Sequence, residues 1–96
     1  MNNMKSILKS DLIEIFGVVK LISKEIYSAY LIENTIWIHN YEGKVIGYIS
    51  YNHDLDLFMI SINHGNVSIK KEFKTRNELL IYLKKDFISE LTAGLI

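Results

Sequence analysis

Cysteine and proline are both absent from the 96-residue chain. Without cysteine the protein forms no disulfide and has no thiolate nucleophile, which fits a reducing cytoplasm. Proline-rich or Gly/Ser-rich linkers, low-complexity tracts and internal repeats are missing as well, so no feature marks a domain boundary. Because separate cores rarely form below about 50 residues, residues 1–96 are expected to form a single domain.

Long apolar runs are also missing. The most apolar N-terminal stretch, residues 12–22, is interrupted by Glu14 and Lys20, and it is shorter than the roughly 20 apolar residues that span a bilayer. No small-residue cleavage site follows it, so neither a membrane segment nor a secretory signal is expected. These absences favour a cytoplasmic protein.

Charge of one sign does not dominate either, since 11 Lys and Arg balance 11 Asp and Glu. Aromatic residues are dense in the middle of the chain, and exposed aromatics on a sheet can stack on nucleic-acid bases. That mode also needs a basic groove, whereas residues 18–66 contain three lysines and no arginine. Direct binding of nucleic acid is therefore not expected.

Apolar residues at three- and four-residue spacing predict an amphipathic helix at the N-terminus. They are Met4, Ile7, Leu8, Leu12, Ile15 and Phe16. Gly17 favours the left-handed backbone that often ends helices. The helix is therefore predicted to end near Phe16, and Val19 is predicted to belong to the next segment.

Short β-branched and aromatic runs between polar turns predict an antiparallel meander from residue 18 to residue 73. The predicted strands are residues 18–22, 25–32, 35–39, 44–51, 55–62 and 67–73. Residues 40–43 and 63–66 have hairpin composition, with a glycine where positive φ is needed. Between these hairpins, Asn52-His53-Asp54 forms a third connection.

A second helix is predicted after the strands. Thr75 and Glu78 have the spacing of a capping box, in which each side chain accepts a bond from a free backbone donor. The apolar stripe that follows consists of Leu79, Leu80, Leu83, Phe87, Ile88 and Leu91. Both helices must bury a stripe, and one face of the sheet is the simplest partner. The predicted fold is α+β: an antiparallel β-meander of about five strands packed by an N-terminal and a C-terminal helix.

No catalytic motif is present, neither a Gly-rich phosphate loop, a Gly-x-Ser-x-Gly elbow nor a His-Glu-x-x-His helix. His53 and His64 flank the predicted strand 55–62, roughly 25 Å apart at strand rise, so they cannot share a metal ion. Asp54 and Asp56 are predicted to start that strand with both carboxylates on one face. Their spacing suits acid–base chemistry, charge presented to a partner, or an ordinary turn. Neither a metal, a cofactor nor an enzymatic activity is expected.

Two segments around this turn carry a more specific pattern. They are Ile46-Gly47-Tyr48-Ile49 and Asn52-His53-Asp54-Leu55-Asp56. Together they resemble the staphylococcal family of uracil-DNA glycosylase inhibitors, which has an Ile-Gly-Tyr-Ile strand followed by Asn-His-Asp, a hydrophobic residue and Asp. Residues 8–9 and 12–16 are also similar to the first helix of that family.

The resemblance implies a DNA mimic. Members of the family occupy the DNA-binding groove of the glycosylase and enclose the apolar side chain that the enzyme pushes into the duplex, with carboxylates where phosphates would lie. His53 matches the family's histidine that contacts the enzyme, and Asn52, Asp54 and Asp56 match by motif, with Tyr51 beside them. The resemblance therefore implies that a monomer of this chain binds uracil-DNA glycosylase in a 1:1 complex.

The chain departs from the family in its neutral charge and in lacking the acidic segment after the first helix. Residues 23–28 are the nearest counterpart, and Glu25 and Ser28 are the contact residues expected there. A mimic of this kind would rest on few carboxylates, such as Glu25, Asp54 and Asp56.

Two alternatives stay open. The first is another small phage or mobile-element inhibitor or immunity protein, which shares the sheet but targets a different enzyme. The second is an enzyme that uses His53, Asp54 and Asp56, which a concave cleft at the turn would favour.

Overall fold

Helices lie at both ends of the described chain and five strands lie between them. The computed structural model describes residues 2–23 and 27–93, with side chains from residue 9 to 22 and from 27 to 93. The elements are α1 (Asn2–Ser23), β1 (Tyr27–Ile32), β2 (Thr35–Asn40), β3 (Val45–Asn52), β4 (Leu57–His64), β5 (Val67–Phe73), α2 (Arg76–Tyr82), a π-helical segment (Leu83–Phe87) and α3 (Ile88–Ala93).

The strands form one antiparallel sheet in the order β1-β2-β3-β4-β5. This order confirms the predicted meander and the α+β class. β5 has the predicted bounds, whereas β4 begins at Leu57 instead of residue 55, because residues 53–56 form the turn. β1 corresponds to the predicted strand 25–32, of which residues 25 and 26 lie outside the described residues.

α1 continues through Gly17, so the predicted helix end near Phe16 and the predicted strand 18–22 are both wrong. Leu12, Ile15 and Val19 are at most 1% exposed, which shows that the apolar stripe runs on past the glycine. Glycine inside a helix costs about 1 kcal/mol relative to alanine. Full burial of a valine side chain contributes about 1.5–3 kcal/mol, and this outweighs the local preference of Gly17.

The core lies between the helices and one face of the sheet. α1 packs mainly on β1 and reaches β2, whereas α2 and α3 pack on β5. The largest fully buried side chains are Phe87, Leu12, Ile15, Ile36, Ile38, Ile49, Ile60, Ile62, Leu79, Leu83, Leu91 and Val19. On the other face, the paired residues Trp37 and Tyr48 pack edge-on with their ring centres 5.7 Å apart.

The first residue of the Ile-Gly-Tyr-Ile pattern lies in a bulge of β3. Ile38 pairs with Gly47 but His39 pairs with Val45, so Ile46 is an extra residue in β3. A Cβ atom at Gly47 would lie 2.6 Å from Ile62 Cδ1 and 2.8 Å from Ile62 Cα. Glycine at this position therefore lets β4 approach β3 closely.

Thr75 is confirmed as the cap of the C-terminal helix, and Glu78 bonds the residue before the cap, not the cap itself. Thr75 Oγ1 accepts a hydrogen bond from Glu78 N at 3.1 Å, and Glu78 Oε2 accepts one from Lys74 N at 3.2 Å. Tyr82, which the predicted stripe does not include, is also buried. No helix in the part of the chain that the structure describes is long and apolar enough to cross a membrane.

Candidate partner-binding site

The connection between β3 and β4 is an exposed turn held together by Asn52. Asn52 Oδ1 accepts hydrogen bonds from Asp54 N at 2.9 Å and from Leu55 N at 3.1 Å. An asparagine side chain that bonds the following backbone in this way stabilises a turn without help from a partner. All four residues from 53 to 56 are exposed, and Leu55 exposes 59% of its surface. We call residues 52–56 the Asn52 turn.

Tyr51 supports the Asn52 turn from its base. The Tyr51 hydroxyl donates a hydrogen bond to Asp56 Oδ1, and this bond is the main cause that raises the pKa of Tyr51 above its ordinary value. The Tyr51 ring packs edge-on against His53 at 5.0 Å and against Phe58 at 5.2 Å. The Tyr51 ring, which packs against the core, therefore positions the imidazole of His53.

Asp54 and Asp56 do not share one face of a strand, so that prediction is wrong. Both lie in the turn, and Asp56 has a left-handed backbone with φ 53°, which breaks the alternation of a strand. Asp56 is bonded to Tyr51, whereas the Asp54 carboxylate has no ion pair or side-chain hydrogen bond within the described residues. Within the described chain, Asp54 is therefore the exposed and unpaired carboxylate of the turn.

The chain segment that contains the Asn52 turn carries only acidic charge, although the net charge of the whole chain is zero. Residues 45–69 contain no lysine or arginine, and their only acidic residues are Asp54 and Asp56. Exposed charges on one side of a protein steer oppositely charged partners when no nearby charge cancels them. A cationic group is the electrostatic complement of Asp54, although exposed Lys74, which follows Phe73, the strand partner of Phe58, lies at the same end of the sheet.

Five of the expected contact residues come together and one does not. Tyr51, Asn52, His53, Asp54 and Asp56 all belong to the Asn52 turn or its base. Ser28 lies on β1, paired with His39, which pairs in turn with Val45 at the far end of β3. Strand rise and strand spacing put it roughly 25 Å from Asn52. Glu25 lies outside the described residues.

Ser28 instead lines a groove of about 540 Å³ along the outer edge of β1. The lining residues are Phe16, Lys20 and Tyr27–Ile32, and we call this feature the β1 groove. Burial raises the pKa of the Tyr27 hydroxyl, which has no hydrogen-bond partner among the described residues. The sequence prediction missed the groove because Lys20 contributes to it only if α1 continues past Gly17.

The other two histidines pack against tyrosine rings. His39 lies edge-on to Tyr30 with ring centres 4.9 Å apart, and His64 lies edge-on to Tyr27 at 5.8 Å. In the described ranges, 2–23 and 27–93, no three His, Asp or Glu side chains form a group that could hold a metal ion. The β1 groove is not lined by any residue of the Asn52 turn.

Comparison of the chain with models of known protein families, with curated proteins and with solved structures found no match.

Proposed function

We propose that the protein inhibits uracil-DNA glycosylase by presenting the Asn52 turn to the enzyme's DNA-binding groove. The observation that carries the proposal is the exposed, internally bonded turn at Asn52-His53-Asp54, where the sequence resembles the staphylococcal inhibitors. A turn that is already ordered loses little conformational freedom when it binds. The DNA-binding surface of the enzyme must be cationic, and this also supports the proposal.

Three side chains of the Asn52 turn have different roles in the proposed contact. The unpaired Asp54 carboxylate replaces a phosphate group and steers the encounter with the cationic groove. His53 is exposed, and its imidazole forms a hydrogen bond with the enzyme. Leu55, with 59% of its surface exposed, is buried on binding and contributes most of the apolar term.

The proposed complex contains one inhibitor and one enzyme, because a monomer presents one Asn52 turn. We place the activity in the cytoplasm, since a chain without cysteine suits a reducing compartment. No catalytic step by the inhibitor itself is proposed. The inhibitor acts by occupying the surface that DNA needs.

The proposal is tested by titrating the protein into a uracil-excision assay with a labelled DNA substrate. Stoichiometric protein is expected to abolish uracil release, and gel filtration is expected to show a 1:1 complex. The double variant His53→Ala/Asp54→Ala should weaken inhibition roughly tenfold or more, as for truncation of central contacts. Full glycosylase activity at excess wild-type protein would refute the proposal.

A matched control is available in the turn between β2 and β3. Tyr41 is 80% exposed and Glu42 is also exposed, and their side chains are not part of the hydrogen bonds that hold that turn. Tyr41→Ala/Glu42→Ala removes one ring and one carboxylate, as the test variant does, but far from the Asn52 turn. It should inhibit as well as the wild-type protein.

The zero net charge favours one alternative, in which the protein is a small phage or mobile-element inhibitor or immunity protein for a different enzyme. A target without a strongly cationic groove would not require an acidic mimic. In that case the glycosylase stays active, and wild-type protein, but not His53→Ala/Asp54→Ala, captures another enzyme and inhibits it.

A further inference from the structure

No strand of the described chain pairs with the outer edge of β1. β1 pairs with β2 alone within the described part of the chain, so the backbone groups on its other side face the β1 groove. Edge strands are usually protected by charged side chains, proline or bulges, and Tyr27–Ile32 has none of these. The opposite edge strand, β5, carries Lys70, Lys71 and Glu72 in succession.

Apolar side chains border this edge on both faces of the sheet. On the helix side, Phe16 and Leu31 line the groove and pack against the core. On the open side, Tyr30 is 52% and Ile32 is 58% exposed. An added strand would place alternate side chains against these two apolar surfaces.

Among the described residues, Lys20 is the single charged residue that lines the β1 groove. Its Nζ atom lies 5.2 Å from the centre of the Phe16 ring, and within the described residues it forms no ion pair. A cation over an aromatic ring beside an apolar groove is electrostatically complementary to a carboxylate. The occupant that fits this groove is therefore acidic.

A second copy of the chain fits the edge less well than a single extended segment. α1 packs mainly over β1, so an antiparallel pair of β1 strands would bring two copies of α1 over adjacent strands. Adjacent strands lie about 4.8 Å apart, whereas packed helices need about 8–10 Å between their axes. A segment without its own helix avoids this conflict.

We propose that the β1 groove binds an extended, acidic segment of a partner protein as an additional antiparallel or parallel strand beside β1. Backbone hydrogen bonds to Tyr27–Ile32 hold the segment, as in other cases of β-strand addition. One carboxylate of the segment pairs with Lys20, and alternate apolar side chains contact Phe16 and Tyr30. This surface is separate from the Asn52 turn, so the protein could engage two partners or two parts of one partner.

The test uses two fluorescein-labelled synthetic peptides of alternating valine and threonine. In the first peptide glutamates replace some of the threonines, and in the second peptide lysines stand at the same positions. The glutamate peptide is expected to bind saturably in fluorescence anisotropy, and the lysine peptide at least roughly tenfold more weakly. Lys20→Glu should reverse this preference. Lys9→Glu, an equal charge change at an exposed position of α1 outside the groove, should leave it unchanged.

Hydrogen exchange followed by NMR locates the bound peptide. Backbone amides of β1 that exchange quickly in the free protein should become protected when the glutamate peptide is added. No saturable binding, equal binding of both peptides, or protection that appears elsewhere would each overturn the proposal. Protection of β1 that rises with protein concentration alone, with a doubled mass in sedimentation, would identify a second copy as the occupant and overturn it too. His53→Ala/Asp54→Ala should bind the peptide normally, which separates this result from the proposed inhibition.

Discussion

At the scale of single residues, Gly47 belongs to the Ile-Gly-Tyr-Ile pattern and also determines how closely two strands of the sheet pack. The atoms nearest to a Cβ at this position belong to the backbone of Ser61 and to Ile62, and Ile62 is only 1% exposed. A backbone atom of a central strand cannot move aside as a flexible side chain can. The glycine of the Ile-Gly-Tyr-Ile segment therefore has a structural reason that is independent of any partner.

Gly47→Ala is expected to lower the free energy of unfolding by about 2 kcal/mol, within the range observed for overpacked cores. Urea denaturation followed by circular dichroism measures the change. The Asn52 turn follows the same strand, so a shift of β3 should also weaken inhibition in the uracil-excision assay. Unchanged stability would show that β4 can withdraw from β3 without loss.

Tyr82 is a second residue whose environment has a measurable consequence. Its hydroxyl donates a hydrogen bond to Glu90 Oε2 at 2.6 Å, while Lys71 Nζ lies 3.6 Å from Glu90 Oε1. Burial, followed by the bond to Glu90, raises the pKa of Tyr82. The folded protein therefore keeps Tyr82 protonated at pH values where the unfolded chain, with a tyrosine pKa of about 10, has ionised.

The stabilisation by Tyr82 should be complete below about pH 10 and should decrease as the pH rises further, because the unfolded state then releases the proton first. Tyr82→Phe is expected to unfold about 1 kcal/mol more easily at neutral pH. The difference between the variant and the wild type should shrink above about pH 10. Urea denaturation across this pH range measures it, with Tyr41→Phe, at an exposed tyrosine, as the control. If the free energy of unfolding changed with pH in the same way for Tyr82→Phe and for wild type, ionisation of Tyr82 would not be coupled to stability, and the prediction would be contradicted.

At the scale of elements, the Asn52 turn owes its shape to one side chain. Asn52→Ala removes both hydrogen bonds that Oδ1 accepts from the backbone N–H groups of residues 54 and 55. We expect a loss of about 1 kcal/mol in the free energy of unfolding and a weaker inhibitor, because a disordered turn must be ordered on binding. Asn66→Ala, in the exposed turn between β4 and β5, serves as the control. Inhibition by Asn52→Ala equal to that of the wild type would show that the turn needs no internal support.

α1 contains a position where the fold tolerates a larger residue. Apart from its neighbours along the helix, a Cβ atom at Gly17 would meet no heavy atom of the described residues within 4 Å, and the helix continues on both sides of it. Gly17→Ala should therefore raise the free energy of unfolding by roughly 0.5–1 kcal/mol. Thermal denaturation measures the gain, and Gly47→Ala is the matched change with the opposite sign. A loss of stability at Gly17 would indicate that this face of α1 is occupied.

At the scale of the whole molecule, the architecture was predictable from local patterns. β-branched and aromatic runs such as the one in β5 predicted the strands, and Thr75 with Glu78 predicted the start of α2. These features depend on contacts between residues close in the chain, which a sequence displays directly. Where burial opposed a local preference, as at Gly17, the prediction was wrong.

The candidate site was predictable as a group of neighbouring residues, but its geometry was not. Asp54 and Asp56 were expected on one strand face, and the turn separates them because Asn52 and Tyr51 bond within it. The β1 groove was not expected at all. It exists because α1 lies beside β1 in space, and no short-range pattern records that proximity.

The meander order also determines how quickly the sheet can assemble. Every strand pairs with its neighbour in the chain across a connection of two or four residues, so closing the sheet requires no long loop. Proline is absent, which removes the slow isomerisation that delays many refolding reactions. Refolding from urea, followed through the fluorescence of Trp37, should therefore be a single exponential that is complete within about a second, with no minor phase lasting tens of seconds.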